Sequence, residues 1–180
     1  FPKLVKQYYD DRKAAKKEMI EWQKKQQKEG SNKEIEKQIA SLNNKQMAVK
    51  ILMNSLFGAI GNKWYRYFDL RVAEAITLTG QKVIKLCESA INDEMNKLLK
   101  TNKDYVIAID TDSVYVNFAA LIDNFAPKDP VKFLDEICKN HFQSILEKTL
   151  ADLSNEMNCF ENRMVMEREV IADRGIWTAK

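Results

Sequence analysis

Residues 3–29 contain no Gly and no Pro and are dense in Lys, Glu, Gln and Ala, so the opening of the chain is suited to one long helix. Leu4, Tyr8, Ala15, Met19 and Trp22 recur at three- and four-residue spacing, interrupted at Asp11, and predict one apolar stripe on a polar rod. Glu29-Gly30-Ser31-Asn32 reads as a stop and a restart: Gly30 suits the end of one helix, and Ser31 or Asn32 can cap the next. A second helix then carries Ile35, Ile39, Leu42, Gln46, Val49, Met53, Leu56 and Ile60 at close to a seven-residue repeat. Two stripes joined by so short a loop bury each other by folding back, which predicts an antiparallel helical hairpin over residues 1–62.

Folding about residue 30 or 31 brings Arg12 level with Lys50 to within about one helical turn, with Lys16 a turn nearer the tip. Arg12 and Lys16 are i,i+4 neighbours, and Lys50, Asn54 and Phe57 form an i,i+4,i+7 ridge beside the second stripe. Three cations near an amide and an aromatic ring suit a nucleoside triphosphate, whose phosphates need charge and whose base or sugar needs a flat wall. The same residues also read as solvated charges with no partner. Gly58 and Gly61 loosen the helix end, and Lys63-Trp64-Tyr65-Arg66-Tyr67-Phe68 follows. That basic, aromatic run either stacks on bases or lies at the edge of a core, the core edge being preferred.

From Asp69, a cap, to about Lys100 the spacing predicts a third long helix with Leu70, Ala73, Ile76, Thr77, Gly80, Ile84, Cys87, Ile91, Met95 and Leu98 on its inner face. The nine residues Val106 to Val114 then run from β-branched residues into Asp110-Thr111-Asp112-Ser113 and out again, which reads as two short strands meeting at a polar turn. In extended backbone Asp110 and Asp112 would stand about 7 Å apart on one side. Such a pair repels itself unless protonated or neutralised, and carboxylate with phosphate oxygens is the ligand set Mg²⁺ prefers. An ordinary turn is the plainer reading. Phe118 to Pro130 is expected to be a loop with a short turn. Asp129-Pro130 opens a fourth helix to about Asn158, its buried face Leu134, Ile137, Cys138, Phe142, Ile145, Leu146, Leu150, Leu153 and Met157. Arg163–Ile171 alternates like a strand and Gly175–Thr178 like another. The fold class expected is therefore α+β: the hairpin over 1–62, and over 63–180 a small antiparallel sheet backed by two long helices.

Charge is divided along the chain. Residues 1–66 hold 15 Lys and Arg against 7 Asp and Glu, net +8, whereas 67–180 hold 14 against 19, net −5. A basic arm and an acidic body suit a site where the arm grips a polyanion and carboxylates hold cations. Cys87, Cys138 and Cys159 are odd in number and far apart, which argues against disulfides and zinc and for core thiols in a reducing compartment. His141 stands alone, so a His-based metal site and a nucleophile-His-acid triad are set aside, and it is expected to be a packing or surface residue. No apolar run nears the roughly 20 residues of a membrane helix, and no secretory leader is visible, so the chain reads as soluble and intracellular. Starting at Phe1 rather than Met, it is expected to be a piece of something longer.

Lys50-Ile51-Leu52-Met53-Asn54-Ser55-Leu56-Phe57-Gly58 resembles the fingers motif Lys-x-x-x-Asn-Ser-x-Tyr-Gly of family B DNA polymerases, with Phe57 for the usual Tyr, and Asp110-Thr111-Asp112-Ser113 resembles their palm motif. Gly175-Ile176-Trp177-Thr178-Ala179-Lys180 is similar to the start of the Lys-Lys-x-Tyr element that contacts primer. The run from Gly58 to Asn62 into Arg66-Tyr67-Phe68-Asp69-Leu70-Arg71 is most similar to the tailed-bacteriophage branch. The resemblance implies a fingers segment over 1–62 and part of a palm over 63–180. It implies that Arg12, Lys16 and Lys50 hold the incoming triphosphate, that Asn54 and Phe57 line the nucleotide pocket, and that Lys180 touches primer. Asp110 and Asp112 would be the catalytic carboxylates and, with Glu169, ligands of two Mg²⁺ ions. The implied partners are primer-template DNA, a dNTP, the remaining polymerase domains and a sliding clamp bound through regions outside these residues. The implied location is cytoplasmic, the host cytoplasm for a phage-encoded protein.

The sequence also departs from the family pattern. Ala108-Ile109 stand where Tyr-Gly often precedes the acids, and Phe57 lacks a hydroxyl while keeping a steric wall. Nothing matches Asp-x-x-Ser-x-Tyr-Pro, which supplies a metal-bridging Asp and the central palm strand, nor the exonuclease domain or thumb. The 180 residues alone are therefore expected to be inactive. Two other readings compete: a basic hairpin that binds protein or nucleic acid without catalysis, and a different two-metal enzyme such as a nuclease or nucleotidyl cyclase.

Overall fold

The computed structural model describes residues 2–176, which fall into two compact units divided after Ala75. In the first, helices α1 (Pro2–Glu29) and α2 (Lys33–Ile60) make the expected hairpin. Gly30 turns the chain with φ +85°, a value glycine adopts freely, and Asn32 Oδ1 caps α2 by accepting from the Glu34 and Ile35 amides. The buried and half-buried residues of α2 are Ile35, Ile39, Leu42, Gln46, Val49, Met53, Leu56, Ala59 and Ile60, so its inner face follows the seven-residue repeat.

On α1 the stripe differs by one detail. Leu4 is exposed and Val5 takes its place, so the inward positions are Val5, Tyr8, Arg12, Ala15, Met19, Trp22 and Gln26. The apparent gap at Asp11 is filled by Arg12, whose long aliphatic stem can lie along an apolar seam while its head stays wet.

Helix α3 (Leu70–Leu99) begins in the first unit and continues in the second. Asp69 starts it, accepting from the Arg71 amide and pairing with the Arg71 side chain at 2.8 Å. The expected inner face holds only over its later part: Leu70 (52%) and Ile76 (50%) are exposed, whereas Val83, Ile84, Cys87, Ile91 and Met95 are buried. The core forms where other elements cover the helix. It joins Val83, Cys87, Ile91 and Met95 to Tyr105, Leu121, Leu134, Phe142, Leu146, Leu150 and Leu153.

Strands β1 (Val106–Asp110) and β2 (Ser113–Val116) pair antiparallel with Asp110 opposite Ser113 and Ile109 opposite Val114. Their position is set by two asparagines one turn apart on α3. Asn92 accepts from the Tyr105 amide at 2.8 Å and donates to Asp104, while Asn96 accepts from the Lys103 amide and donates to the Lys103 carbonyl. Tyr105 is itself buried, and its hydroxyl meets Thr101 Oγ1 at 2.6 Å.

Where a loop with a short turn was expected, Ala119–Phe125 forms a short helix, α4, that carries the fully buried Leu121. Asp129 caps α5 (Pro130–Ile137) as expected, accepting from the Lys132 amide. A π turn at Cys138–Phe142 then leads into α6 (Gln143–Glu156). Leu134, Cys138, Phe142, Leu146 and Leu150 lie four apart, and each such step overshoots an α turn by roughly 40°; the wider turn corrects this drift and returns Phe142 and Leu146 to the core. His141 in that turn sits 2.7 Å from Glu94 of α3. Met157 is exposed, at the end of the expected face.

Two further expectations need correction. Residues 163–171 form no strand: among the described residues the sheet has only β1 and β2, and an alternating sequence becomes a strand only when a neighbour satisfies its amides. Met166 and Ile171 pack on the core instead, and Arg168 pairs with Asp135 of α5. Of the proposed strand 175–178, Trp177 and Thr178 lie outside the described residues. Cys87 is a core thiol whose burial pushes its pKa up, but Cys159 is exposed.

Asn92→Ala is expected to leave the buried Tyr105 amide unpaired and to lower unfolding stability by about 1–3 kcal/mol in urea melts. Asp135 is held below its ordinary value of 3.8, first by the hydrogen bond from Lys139 and also by Arg168. A lowered folded pKa gives stability that is complete above 3.8 and lost as pH falls through the folded value. The stability difference between wild type and Asp135→Asn is therefore expected to be constant at neutral pH and to shrink as pH falls below 3.8, as followed by denaturant melts across pH.

Candidate functional site

The hairpin places its expected nucleotide-binding residues beside the seam. Lys50, Asn54 and Phe57 are exposed along one ridge, flanked by the half-buried Val49, Met53 and Leu56. Arg12 Nε donates to Gln46 Oε1 at 3.4 Å, which puts Lys50 one turn beyond the contact, as the folding arithmetic requires. Lys16 is exposed one turn nearer the tip. Of these three cations only Arg12 has a hydrogen-bond partner among the described residues, so only its direction is fixed within the chain.

Asp110 closes β1 and is half-buried, while Asp112 is exposed in the turn. The turn is tighter than extended backbone. The Asp112 amide donates to the Asp110 carbonyl at 2.6 Å across Thr111, which has φ +56°. A three-residue turn of that kind is strained, the more so for a β-branched residue. Hydroxyls brace it: Thr111 Oγ1 donates to Asp110 Oδ1 at 3.0 Å and Ser113 Oγ to the Asp110 carbonyl at 3.1 Å. The turn thus keeps two carboxylates within three residues of one another at one end of the sheet, a hard-oxygen donor set that fits Mg²⁺.

Among the described residues no three His, Cys, Asp or Glu gather to hold a metal. Glu169 is exposed in the irregular 163–171 segment and does not join the two aspartates in such a group, and Lys180 lies outside the described residues. The aromatic run is not a core edge. Trp64 is 84% exposed, with Lys63 over its ring at 5.0 Å, and Arg66 lies over Tyr67 at 5.6 Å, itself edge-on to Tyr65. The residue that sequence reasoning passed over is Gln46, although the signal was there: one amide in a repeat of aliphatic positions.

A sequence profile of DNA polymerase family B matches residues 1–148, a span that contains both the Lys50 and the Asp110 motifs. This chain belongs to the family B DNA polymerases. It is 38% identical over 162 residues to the DNA-directed DNA polymerase of Enterobacteria phage T4, covering 82% of this chain and 18% of that protein. It is 35% identical over 146 residues to the DNA-directed DNA polymerase of Escherichia phage RB69, covering 73% and 16%. DNA polymerase 1 of Pyrococcus abyssi is 28% identical over 136 residues, or 76% and 15%. The chain therefore spans less than a fifth of these relatives' length, and the family B match stops before Glu169 and Lys180.

Replacing Thr111 by Gly is expected to relieve the positive-φ strain and raise stability by up to about 1 kcal/mol, measured by urea unfolding.

Proposed function

We propose that these residues supply the fingers and part of the palm of a DNA-directed DNA polymerase, which extends a primer 3′-hydroxyl with dNTPs on a DNA template. The observation that carries this reading is the exposed Lys50-Asn54-Phe57 ridge next to Arg12, in a chain whose family membership covers both that motif and Asp110-Thr111-Asp112.

In this reading Arg12, Lys16 and Lys50 neutralise the triphosphate, and Asn54 and Phe57 form a wall of the nucleotide pocket. The primer 3′-oxygen bonds to the α-phosphorus while the bond to the departing pyrophosphate breaks. Asp110 and Asp112 would hold two Mg²⁺ ions, with Glu169 as a further acid. When bound, such ions stabilise the charge on the entering and leaving oxygens. Little proton transfer by side chains is needed, so the protein's part is to position and to neutralise. Primer-template DNA and dNTPs are the partners, Lys180 contacts primer, and a sliding clamp would bind through other parts of the intact protein. Among the described residues no helix is long and apolar enough to cross a membrane. A phage-encoded polymerase would act in the host cytoplasm.

Within the 180 residues nothing matches Asp-x-x-Ser-x-Tyr-Pro, the motif that supplies the family's metal-bridging Asp. The 180-residue chain alone is therefore inactive in this reading.

In the intact polymerase, Lys50→Ala is expected to raise KM for dNTP about ten- to a hundredfold in steady-state primer extension, and Asp112→Asn to lower kcat about a thousandfold or more. A binding module without catalysis predicts no effect of Lys50→Ala on nucleotide affinity. The 180-residue chain with primer-template, dNTPs and Mg²⁺ is expected to give no extension; robust extension would contradict its proposed inactivity.

A further inference from the structure

Gln46 is 8% exposed and is the one buried polar or charged side chain among the described residues. Its place in the α2 repeat is one where Leu or Met would make a more stable seam. The amide is committed at both ends. Nε2 donates to Asn43 Oδ1 at 3.0 Å, and Oε1 accepts from Arg12 Nε at 3.4 Å. A guanidinium can only donate, so the asparagine, by holding the amide nitrogen, turns the oxygen towards Arg12.

This contact uses the nitrogen on the stem of Arg12. Its terminal Nη1 and Nη2 groups have no partner among the described residues. Those two nitrogens are the fork whose spacing matches a pair of phosphate oxygens. An arginine free to rotate would lose side-chain freedom on closing over a ligand, and one already held by Nε loses less.

We propose that Gln46 is a positioning residue: anchored by Asn43, it fixes Arg12 through Nε and leaves the guanidinium fork ready for the phosphates of the incoming nucleotide. The inference rests on the reading of Arg12 as a triphosphate ligand. A polar seam residue could instead serve only to set helix register. The two roles separate in kinetics, because a register role does not depend on the chemistry of residue 12.

The test is steady-state primer extension by the intact polymerase carrying Gln46→Met, Arg12→Lys, both together, or Asn43→Ala, with thermal melting of each variant. Gln46→Met keeps an apolar seam and is expected to melt no lower than wild type. It should raise KM for dNTP roughly five- to tenfold with kcat within about twofold, and Asn43→Ala should shift KM the same way by less. In the Arg12→Lys background, where no Nε–H remains to be held, Gln46→Met should add nothing. An unchanged KM in Gln46→Met, or an equal rise in both backgrounds, overturns the positioning role. If Arg12→Lys itself leaves KM unchanged, the triphosphate reading of the arm fails; if it raises KM while Gln46→Met does not, only the role of Gln46 fails.

Discussion

The seam between α1 and α2 governs what the hairpin can present. An antiparallel pair of long helices with a uniform apolar stripe could slide by a repeat with little loss, and each slide would move the surface cations by about 10 Å. In the register observed, Arg12 meets Gln46 across the seam, so the guanidinium and the amide are paired with each other. The caps at Gly30 and Asn32 fix the loop length, and with it which turns of α1 and α2 face each other. Lys50, Asn54 and Phe57 then lie on one ridge because the seam residues one position away are turned inward.

In the second unit an amide pair does comparable work. Asn92 and Asn96 project from one face of α3 and satisfy the backbone of the 103–105 approach to β1, so a two-stranded sheet is held against the helix by directional bonds as well as by apolar packing. Leu121 and Met95, both fully buried, add the non-directional part, roughly 2–3 kcal/mol each. The strained turn at Thr111 is tolerated because its flanking strands are tied down at their other end.

Much of this was readable from the residues. Helix boundaries near Gly30, Asp69 and Asp129 followed from capping chemistry, and the strands on either side of Thr111 from their β-branched runs, because these signals are local. The errors occurred where the answer depends on what a segment packs against. Residues 163–171 alternate like a strand but find no ladder among the described residues, and the early part of α3 is apolar yet exposed. Leu121 needed a short helix that composition alone did not announce. At the candidate site the ridge and the acid turn were legible, whereas Gln46 stood as one more position of an otherwise aliphatic repeat, because its pairing with Arg12 depends on the other helix.

The two-stranded sheet has a consequence for the chain as a material. Among the described residues each strand is paired along one edge only, and Ile107, Ile109 and Tyr115 are exposed on it. Where such an edge meets no neighbour, exposed apolar side chains template the addition of further strands, and edge-to-edge association is the failure expected of concentrated solutions. Lys100, Lys103 and the carboxylates at the turn sit at opposite ends of the hairpin, and like charges meeting in a stacked, in-register array would oppose that growth most at low salt.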